Sequence, residues 1–239
     1  VPNDPKYTSA WHLPKIQAPI AWDSSQGSNV TIAILDTGVD ASHPDLAGKL
    51  VAGWNSVSGN TDTADIYGHG TKVAGAAAAI TNNSIGVAGV AGSARIMPIR
   101  ITNDSSGYAY WSDIARGLTW AADNGAHIAN ISYEATSSSS IASAAQYLQN
   151  KGGVTVVAAG NSSTNPGYSD SPYMISVSAT DSNDAKASWS NYGYFVDVAA
   201  PGVSIWTTVK GGGYGAVSGT SFASPVTAGV VALMKAANP

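Results

Sequence analysis

Short, almost wholly apolar runs alternate with helical patterns along most of this 239-residue chain. A strand has a continuously apolar sequence when both of its faces are buried, as in a parallel sheet covered by helices. The apolar runs lie at 29–36, 94–101, 127–132, 154–159, 174–179 and 195–199. The helical patterns lie at 71–80, 111–124, 141–151 and 221–237. This alternation predicts an α/β fold, a doubly wound and mostly parallel sheet with helices on both faces.

Residues 1–239 are expected to form a single domain. No internal repeat and no Pro- or charge-rich linker divides the chain, and its length suits one large core. The four serines at 137–140 predict a solvated loop or the start of a helix. The glycine-rich segment 211–215 neither follows a clear strand nor opens a helix, so it predicts a hairpin or surface turn instead of a dinucleotide-binding loop.

Composition excludes several functional classes. The chain is 44% apolar, only 11% charged and carries a formal net charge of −4. These values argue against disorder and against a basic nucleic-acid-binding surface. No apolar run reaches the roughly 18 residues that a membrane span requires. A chain without cysteine has no disulfide framework. It begins at Val1 without a leader-like segment, as expected for a mature form whose leader was removed.

Three polar residues stand at strand ends or helix starts, the edge of such a sheet where functional residues gather. Asp36 closes an apolar strand, and His69 lies between two glycines just before an Ala-rich helix. Ser221 precedes the last helix, with Pro225 expected in its first turn. A serine hydroxyl needs a neighbouring base to act as a nucleophile, and a histidine oriented by a carboxylate is the usual one.

The chain has four histidines, and three of them have simple structural interpretations. His12 lies in a polar N-terminal stretch and is predicted to be at the surface. His43 precedes Pro44 and is predicted to be a turn residue, while His127 opens a strand and is predicted to be structural. Taken alone, His69 is also more often structural than catalytic, so its interpretation depends on the other two residues.

The order Asp, His, Ser matches one known order of the catalytic triad. The three segments that carry it resemble the signatures of subtilisin-like serine proteases: LDTGVDASHPDL at 35–46, GHGTKVAG at 68–75 and SGTSFASP at 218–225. An AAGN segment lies between the last two, at 158–161. Three further segments look most like the thermitase-type branch: PNDP at 2–5, KIQAP at 15–19 and AITNNSIGVAG at 79–89. The resemblance covers nearly the whole chain and implies a subtilisin-like fold.

The resemblance implies a role for each matching residue. Asp36 would orient His69, His69 would act as general base and acid, and Ser221 would be the nucleophile. The side-chain amide of Asn161 would donate to the oxyanion together with the backbone N–H of Ser221. An α/β-hydrolase requires its acid and histidine after the serine, and neither residue type follows Ser221. A zinc hydrolase is unsupported because the chain lacks an H-E-x-x-H motif.

The resemblance also implies one structural Ca²⁺ site. Its ligands would be the side chains and carbonyls of Asp4, Asp45, Asn83, Ile80, Ile85 and Val87, with the last three contributing carbonyl oxygens. Oxygen-rich loops with a few carboxylates suit this ion. The alternative is that 81–83 is an ordinary turn. A second site at 55–65 is disfavoured, because Asn55, Asn60 and Ala64 stand where better ligands would be expected.

The resemblance further implies that protein or peptide substrates bind as extended strands between two segments of the chain. One segment is Tyr108, Ala109 and Tyr110. The other is Ser132, Tyr133, Glu134 and Ala135, which would also form one wall of the pocket for the residue before the scissile bond. The opposite wall would be Ala158, Ala159 and Gly160.

Relatives usually carry Ser-Leu-Gly-Gly in the second of these segments. Glu134, the only glutamate in the chain, therefore replaces a glycine. It would narrow the pocket or supply a charge for a basic side chain, unless it points to solvent. Phe222 replaces the Met that usually follows the nucleophile, and Lys72 and Val226 replace two His. Relatives continue with further helices after the nucleophile helix, so the family's C-terminal helices are expected to be missing here.

The expected function is that of a secreted, extracellular, calcium-stabilised endopeptidase that works through an acyl-enzyme. We expect a monomer with an inhibitory pro-segment as its protein partner, and neither nucleic acid nor a membrane as a partner. Two alternatives remain open from the sequence. One is a catalytically silent relative that binds peptides, and the other is an enzyme that hydrolyses esters with the same residues.

Overall fold

The computed structural model describes residues 1–239. Seven parallel strands form its central sheet, in the order β2-β3-β1-β4-β5-β6-β7. The strands are β1 Thr31–Asp36, β2 Trp54–Asn55, β3 Arg95–Arg100, β4 Ile128–Glu134, β5 Val154–Ala158, β6 Met174–Thr180 and β7 Val198–Pro201. Neighbouring strands that are not consecutive in the chain require crossovers, so the predicted doubly wound α/β sheet is confirmed.

Helices cover both faces of this sheet. They are α1 His12–Lys15, α2 Ala18–Ala21, α3 His69–Ala78, α4 Trp111–Asp123, α5 Ser139–Asn150 and α6 Thr220–Ala237, with a 3₁₀ turn at Tyr7–Ser9. The side chains of β1 alternate between two core clusters. Ile32 and Ile34 face the cluster built with α3 and α6, whereas Ala33 and Leu35 face the cluster built with α4 and α5. This alternation places the carboxyl end of β1 between the two layers.

The glycine-rich segment forms the hairpin that the sequence predicted. Strands β8 Ile205–Val209 and β9 Gly213–Val217 pair in antiparallel fashion outside the main sheet. The hairpin is attached to α3, because Thr207 Oγ1 donates to the Lys72 carbonyl at 2.6 Å and Thr208 Oγ1 donates to the Thr71 carbonyl at 2.7 Å. Gly75 permits this close approach, since a Cβ there would lie 2.2 Å from Thr208 Oγ1.

Most predicted elements agree with the structure within two residues, but the last strand of the sheet does not. It was predicted at 195–199 and lies at Val198–Pro201. Phe195 is fully buried, yet its ring packs against Tyr168 with centroids 5.4 Å apart instead of belonging to the ladder. Phe195 is thus a core residue outside the strand, and including it made the predicted strand begin three residues too early.

The surface prediction for His12 is wrong. His12 begins α1, is fully buried, and has a hydrogen-bond partner on neither ring nitrogen. Its neighbours Ala10 and Leu13 belong to the core cluster on the α3 and α6 face. The N-terminal segment packs on the body of the protein, so polar residues nearby in sequence did not reflect the surroundings of this ring.

The two other histidines with structural interpretations lie close to where they were expected. His43 is in a turn, but it is buried, with Nε2 2.8 Å from the Gly213 carbonyl. His127 directly precedes β4, and its Nδ1 accepts a hydrogen bond from the Thr31 N–H at 3.1 Å.

Helix α6 begins one residue before Ser221, at Thr220. Pro225 is therefore the sixth residue of this helix, and the prediction that it lies in the first turn is wrong. A proline at this position removes one N–H from the helical ladder. Near its other end, α6 exposes Met234, which is 66% exposed. None of the helices has the combination of length and apolar character that crossing a membrane demands.

Candidate active site

Asp36 and His69 meet at the carboxyl edge of the sheet. Asp36 ends β1 and is fully buried, while His69 begins α3 and keeps part of its ring exposed. His69 Nδ1 lies 2.7 Å from Asp36 Oδ1 and 2.9 Å from Oδ2. Asp36 Oδ1 also accepts a hydrogen bond from the Thr37 N–H at 2.8 Å. The carboxylate therefore keeps the proton on Nδ1 and leaves Nε2 as the basic nitrogen.

The pKa of His69 is raised above its usual value by the balance of two opposing effects. Burial alone would lower this pKa, because it disfavours the charged imidazolium. The negative charge of Asp36 and its hydrogen bond to the ring outweigh burial. Lys72 opposes the rise and Asp65 adds to it. The ring is thus prepared to accept a proton and to hold it as an imidazolium.

Asp65 supports the loop and helix start that carry His69. It is almost fully buried, and its Oδ1 accepts from Thr37 Oγ1 at 2.7 Å. Its Oδ2 accepts from the Thr71 N–H at 2.9 Å and from Thr71 Oγ1. Thr37 Oγ1 in turn accepts from the Gly70 N–H at 3.0 Å. A carboxylate is favoured at a helix N-terminus, and here it joins the end of β1 to the start of α3.

Ser221 is clamped to β4 by reciprocal hydrogen bonds with Ser132. Ser221 Oγ donates to the Ser132 carbonyl at 3.1 Å instead of to His69. Ser132 Oγ donates to the Ser221 carbonyl at 2.8 Å. That carbonyl would normally accept from the N–H four residues later in the helix, but this residue is Pro225. The missing N–H thus leaves the carbonyl free for Ser132.

Asn161 is held next to Ser221 by the residue that precedes the serine. Asn161 Oδ1 accepts from both the N–H and Oγ1 of Thr220, each at 2.9 Å. Thr220 Oγ1 itself accepts from the Gly160 N–H at 3.1 Å. The oxygen of the amide is therefore engaged, and its Nδ2 group is available to donate. This is the arrangement that stabilisation of an oxyanion would require.

The predicted substrate-binding segments lie on either side of a cavity of about 390 Å³. Tyr108 and Tyr110 are exposed, with ring centroids 5.3 Å apart, and Ala109 between them is buried. Tyr133 from the other segment donates its hydroxyl to the Gly107 carbonyl at 2.7 Å. This hydrogen bond joins the second segment to the residue just before the first.

Glu134 reaches from its own segment to the opposite pocket wall. Its Oε1 accepts from the Tyr168 hydroxyl at 2.9 Å, and its Oε2 lies 3.5 Å from Asn191 Nδ2. The predicted opposite wall is Ala158, Ala159 and Gly160, where Gly160 has a φ of +103°. A Cβ on Gly160 would lie 2.4 Å from Glu134 Oε2, so the carboxylate reaches directly above this glycine. The interpretation that Glu134 points freely to solvent is therefore wrong.

Two buried carboxylates, Asp4 and Asp45, stand in the region predicted for calcium. Asp4 accepts from the Asn82 N–H at 2.8 Å, which joins the N-terminal segment to the 81–83 turn. Asp45 Oδ1 accepts from Asn83 Nδ2 at 2.7 Å, and Oδ2 accepts from the Val87 N–H at 2.9 Å. Neither carboxylate forms an ion pair.

Burial, the charge of Asp45 and a hydrogen bond to it raise the pKa of Tyr214 to about 12. The carbonyl oxygens of Ile80, Ile85 and Val87, which are predicted calcium ligands, accept no backbone hydrogen bond. No three His, Cys, Asp or Glu side chains cluster here, so a bound cation would need these carbonyls. Two carboxylates, an amide and free carbonyls form a donor set that fits Ca²⁺.

The guanidinium of Arg100 binds to the disfavoured second calcium region, 55–65. Arg100 Nη1 lies 3.1 Å from Asp62 Oδ2 and donates to the Ala64 carbonyl at 3.4 Å. The carboxylate of Asp65 is engaged by the donors around His69, as described above. A guanidinium therefore neutralises the part of this loop that could have attracted a metal ion.

Several residues of the site were not identified from the sequence. Thr220 orients Asn161, Asp65 and Thr37 join β1 to α3, and Asn191 closes the pocket wall by donating to the Ala159 carbonyl at 3.1 Å. Thr220 and Thr37 directly follow or precede a predicted catalytic residue, and this adjacency could have suggested them. Asn191 carries no local signal, because only the fold brings it to the site.

Comparisons with known proteins agree with the fold and identify the family. A sequence model of the subtilase family matches residues 27–239. The chain is 48% identical to thermitase of Thermoactinomyces vulgaris, over 98% of this chain and 85% of that protein. It is 44% identical to a thermophilic serine proteinase of Bacillus sp. strain AK1, over 98% of this chain and 59% of that protein. It resembles a solved protease structure from Pseudoalteromonas arctica PAMC 21717 with a TM-score of 0.89 at 33% identity, covering 98% and 86% of the two chains.

Proposed function

Because the chain belongs to the subtilase family and is a serine endopeptidase of the thermitase-like kind, we propose that Asp36, His69 and Ser221 form its catalytic triad. The observation that carries this proposal is the Asp36–His69 pair at the sheet edge, with 2.7 Å between Nδ1 and Oδ1. The His69 ring lies beside the start of α6, with its centroid 5.6 Å from that of Phe222. The family supplies the reaction class, and this pair supplies the base that a serine nucleophile needs.

In the proposed reaction, Ser221 Oγ leaves the Ser132 carbonyl by rotation about the Cα–Cβ bond and turns to His69 Nε2. Catalytic hydrogen bonds are often absent or long before substrate binds. Nε2 takes the hydroxyl proton while Oγ attacks the peptide carbonyl carbon. The raised pKa of His69 and the charge of Asp36 favour the imidazolium that results. The imidazolium then protonates the leaving amine, which leaves an acyl-enzyme on Ser221.

Water completes the cycle. His69 Nε2 accepts a proton from water, the hydroxide attacks the ester carbonyl, and the proton returns to Ser221 Oγ. In both steps, Asn161 Nδ2 and the Ser221 N–H donate to the oxyanion. The positive end of the α6 dipole adds to this stabilisation. Support comes from the hydrogen bonds that fix Asn161 Oδ1 to Thr220 and so leave Nδ2 as the free group.

Substrate is proposed to bind as an extended strand between the 108–110 and 132–135 segments. The cavity between these segments supports this placement. An inhibitory pro-segment would occupy the same cleft, and the enzyme would act as a monomer. We propose secretion as well, because proteases of the subtilase family are typically extracellular. Fractionation of a producing culture and size-exclusion chromatography test these last two points.

Labelling with a fluorophosphonate probe tests the triad. The wild-type protein should be labelled on Ser221 and should digest casein, whereas the Ser221→Ala variant should do neither. Sequencing the casein products reports the residues that flank each cleavage. Absence of labelling in a folded wild-type protein would overturn the proposed triad and favour the silent, peptide-binding alternative. Hydrolysis of simple esters without casein cleavage would contradict the peptidase assignment.

A structural calcium ion is proposed to bind Asp4, Asp45, Asn83 and the carbonyls of Ile80, Ile85 and Val87. When bound, the ion would neutralise the two buried carboxylates and join the N-terminal segment to the 80–87 loop. Asn83 Oδ1 accepts from the Ile85 N–H at 3.1 Å, and its second lone pair remains for the ion.

Metal removal tests this site in the Ser221→Ala background, which prevents autolysis. A chelator should lower the thermal midpoint by several degrees, and added Ca²⁺ should restore it. Asp45→Asn should lower the midpoint and remove this calcium response. Asp62→Asn, whose carboxylate pairs with Arg100, should keep the response. An unchanged midpoint after chelation would contradict the proposal.

A further inference from the structure

Glu134 carries a negative charge beside the reaction centre that the proposed mechanism does not use. Ser132, two residues earlier in the same strand, holds Ser221 through the reciprocal hydrogen bonds described above. Gly160, over which the carboxylate extends, directly precedes Asn161. The carboxylate is thus bounded on one side by the segment that holds the nucleophile and on the other by the segment that supplies the oxyanion donor.

This charge has no cationic partner in the protein. The five ion pairs of the structure involve five aspartates and no glutamate. The partners of Glu134 are neutral, the Tyr168 hydroxyl and the Asn191 amide. The Asn191 contact is long at 3.5 Å, because the same Nδ2 donates to the Ala159 carbonyl at 3.1 Å. Oε2 therefore retains the capacity to accept a stronger donor from a ligand.

The surroundings of the carboxylate suit the stem of a long basic side chain. Glu134 lines the 390 Å³ cavity together with aromatic rings from Tyr108, Trp111, Tyr133 and Tyr168. The aliphatic stem of lysine or arginine packs well against such rings, and its cationic head is attracted to their faces. An apolar side chain of similar size would gain the same packing but would leave the carboxylate partly desolvated without a partner.

We propose that Glu134 selects substrates with lysine or arginine on the acyl side of the scissile bond. The inference rests on the proposed function, since it requires that Ser221 cleave a peptide held between these segments. The substrate's ammonium or guanidinium group donates to Glu134 Oε2, and Tyr168 keeps Oε1 in place. Glu134 is thus a specificity residue, and it takes no part in bond breaking. The other interpretation, that the side chain only narrows the pocket, predicts no dependence on charge.

A peptide library tests the inference. Each peptide places Lys, Arg, Gln, Leu or Phe at one of the four positions before the scissile bond, and kcat/KM is measured for the wild type and Glu134→Gln. Glutamine keeps the size of the side chain but removes its charge. Asp123→Asn is the matched control, because Asp123 also accepts from a tyrosine hydroxyl, that of Tyr147 at 2.7 Å. All enzyme concentrations are set by fluorophosphonate titration of Ser221.

The wild type should prefer Lys or Arg over Gln and Leu at one of these positions, since hydrogen bonds to a charged group are strong. Glu134→Gln should reduce this preference, measured as the ratio of kcat/KM for Lys or Arg peptides to that for Leu peptides, at least about tenfold. The control should retain the preference, and raised salt should weaken it in the wild type. An active, titratable enzyme with no basic preference, or with one that survives Glu134→Gln, would overturn the inference alone. A folded protein that the probe does not label would overturn the proposed function, and this inference with it.

Discussion

His12 is fully buried and His69 is partly buried, and each begins a helix, yet their surroundings move their pKa values in opposite directions. Burial acts on both rings by disfavouring the charged form. At His69 the charge and hydrogen bond of Asp36 overcome burial and raise the pKa. At His12 no such partner exists, both ring nitrogens are without hydrogen bonds, and burial lowers the pKa to about 4.

The difference teaches that the partners of a buried ring, more than its burial, decide whether it can serve as a base near neutral pH. The carboxyl edge of the sheet supplies such partners, because the end of β1 and the start of α3 place Asp36 and Asp65 near one ring. Around His12, the apolar core cluster that includes Ala10 and Leu13 supplies none. Four experiments test this difference between His69 and His12, and they are given from the largest expected effect to the smallest.

The largest effect is expected from Asp36→Asn, which makes the His69 environment resemble that of His12. The asparagine amide can donate to Nδ1, so the ring would keep its proton on Nε2 and could not accept one from Ser221. We expect kcat to fall about 10⁴-fold without loss of folding. Steady-state kinetics on a peptide substrate measures this loss. Asp62→Asn is the control for a lost surface carboxylate, and a decrease below tenfold in Asp36→Asn would contradict the assigned role.

Acid should destabilise the protein through His12. The pKa of His12 is about 4 in the folded protein against 6.5 as its ordinary value, so the unfolded state binds the proton more readily. The free energy of unfolding should be unaffected above pH 6.5 and should decrease by about 3 kcal/mol as the pH falls from 6.5 to 4.

Guanidinium unfolding of the Ser221→Ala protein at several pH values measures this decrease. His12→Leu should remove this part of the pH dependence, because leucine has no titratable group and suits an apolar site. His127→Gln is the comparison variant and should remove a smaller part of the pH dependence, since partial burial and the Lys235 charge also lower the pKa of His127. Equal acid sensitivity of the His12→Leu and parent proteins would show that other groups cause the loss.

Asp65→Asn tests how much the second carboxylate near His69 contributes to the difference in pKa between His69 and His12. The amide can accept fewer of the hydrogen bonds from Thr37 and Thr71, so we expect kcat to fall about tenfold. Loss of the Asp65 charge should also lower the pKa of His69 and move the acid limb of kcat/KM to lower pH. A merely structural defect would lower the plateau without moving this limb, so the pH profile separates the two explanations.

The smallest effect is expected from Lys72→Gln. The lysine charge lowers the pKa of His69, so its removal should raise this pKa and move the acid limb of kcat/KM to higher pH. The plateau of kcat/KM should not change, because Lys72 meets the hairpin through its backbone carbonyl. A shift in the same direction as that of Asp65→Asn would contradict the electrostatic explanation for both variants.

The sheet could be predicted because its causes are local in sequence, whereas the Asp36–His69 pair was predicted from the family resemblance of the segments that carry the two residues. Apolar runs and helical periodicity predict strands and helices, and parallel strands bring their carboxyl ends to one edge. The environment of His12 could not be predicted, since it depends on how the N-terminal segment packs on the body. The same holds for Asn191 and Tyr168 around Glu134, which the fold brings from distant parts of the chain.

The position of Pro225 shows a further limit of local reasoning. The sequence placed this proline near the start of the last helix, where it would have had little effect. In the structure its missing N–H leaves the Ser221 carbonyl to Ser132 Oγ, so a gap in one helix is filled by a hydroxyl from a neighbouring strand. Positions 132 and 225 should therefore behave as a unit in mutagenesis, with non-additive effects on stability. An attempt to graft the serine-bearing helix onto another scaffold would need to move both residues together, because either one alone leaves a donor or an acceptor without its counterpart.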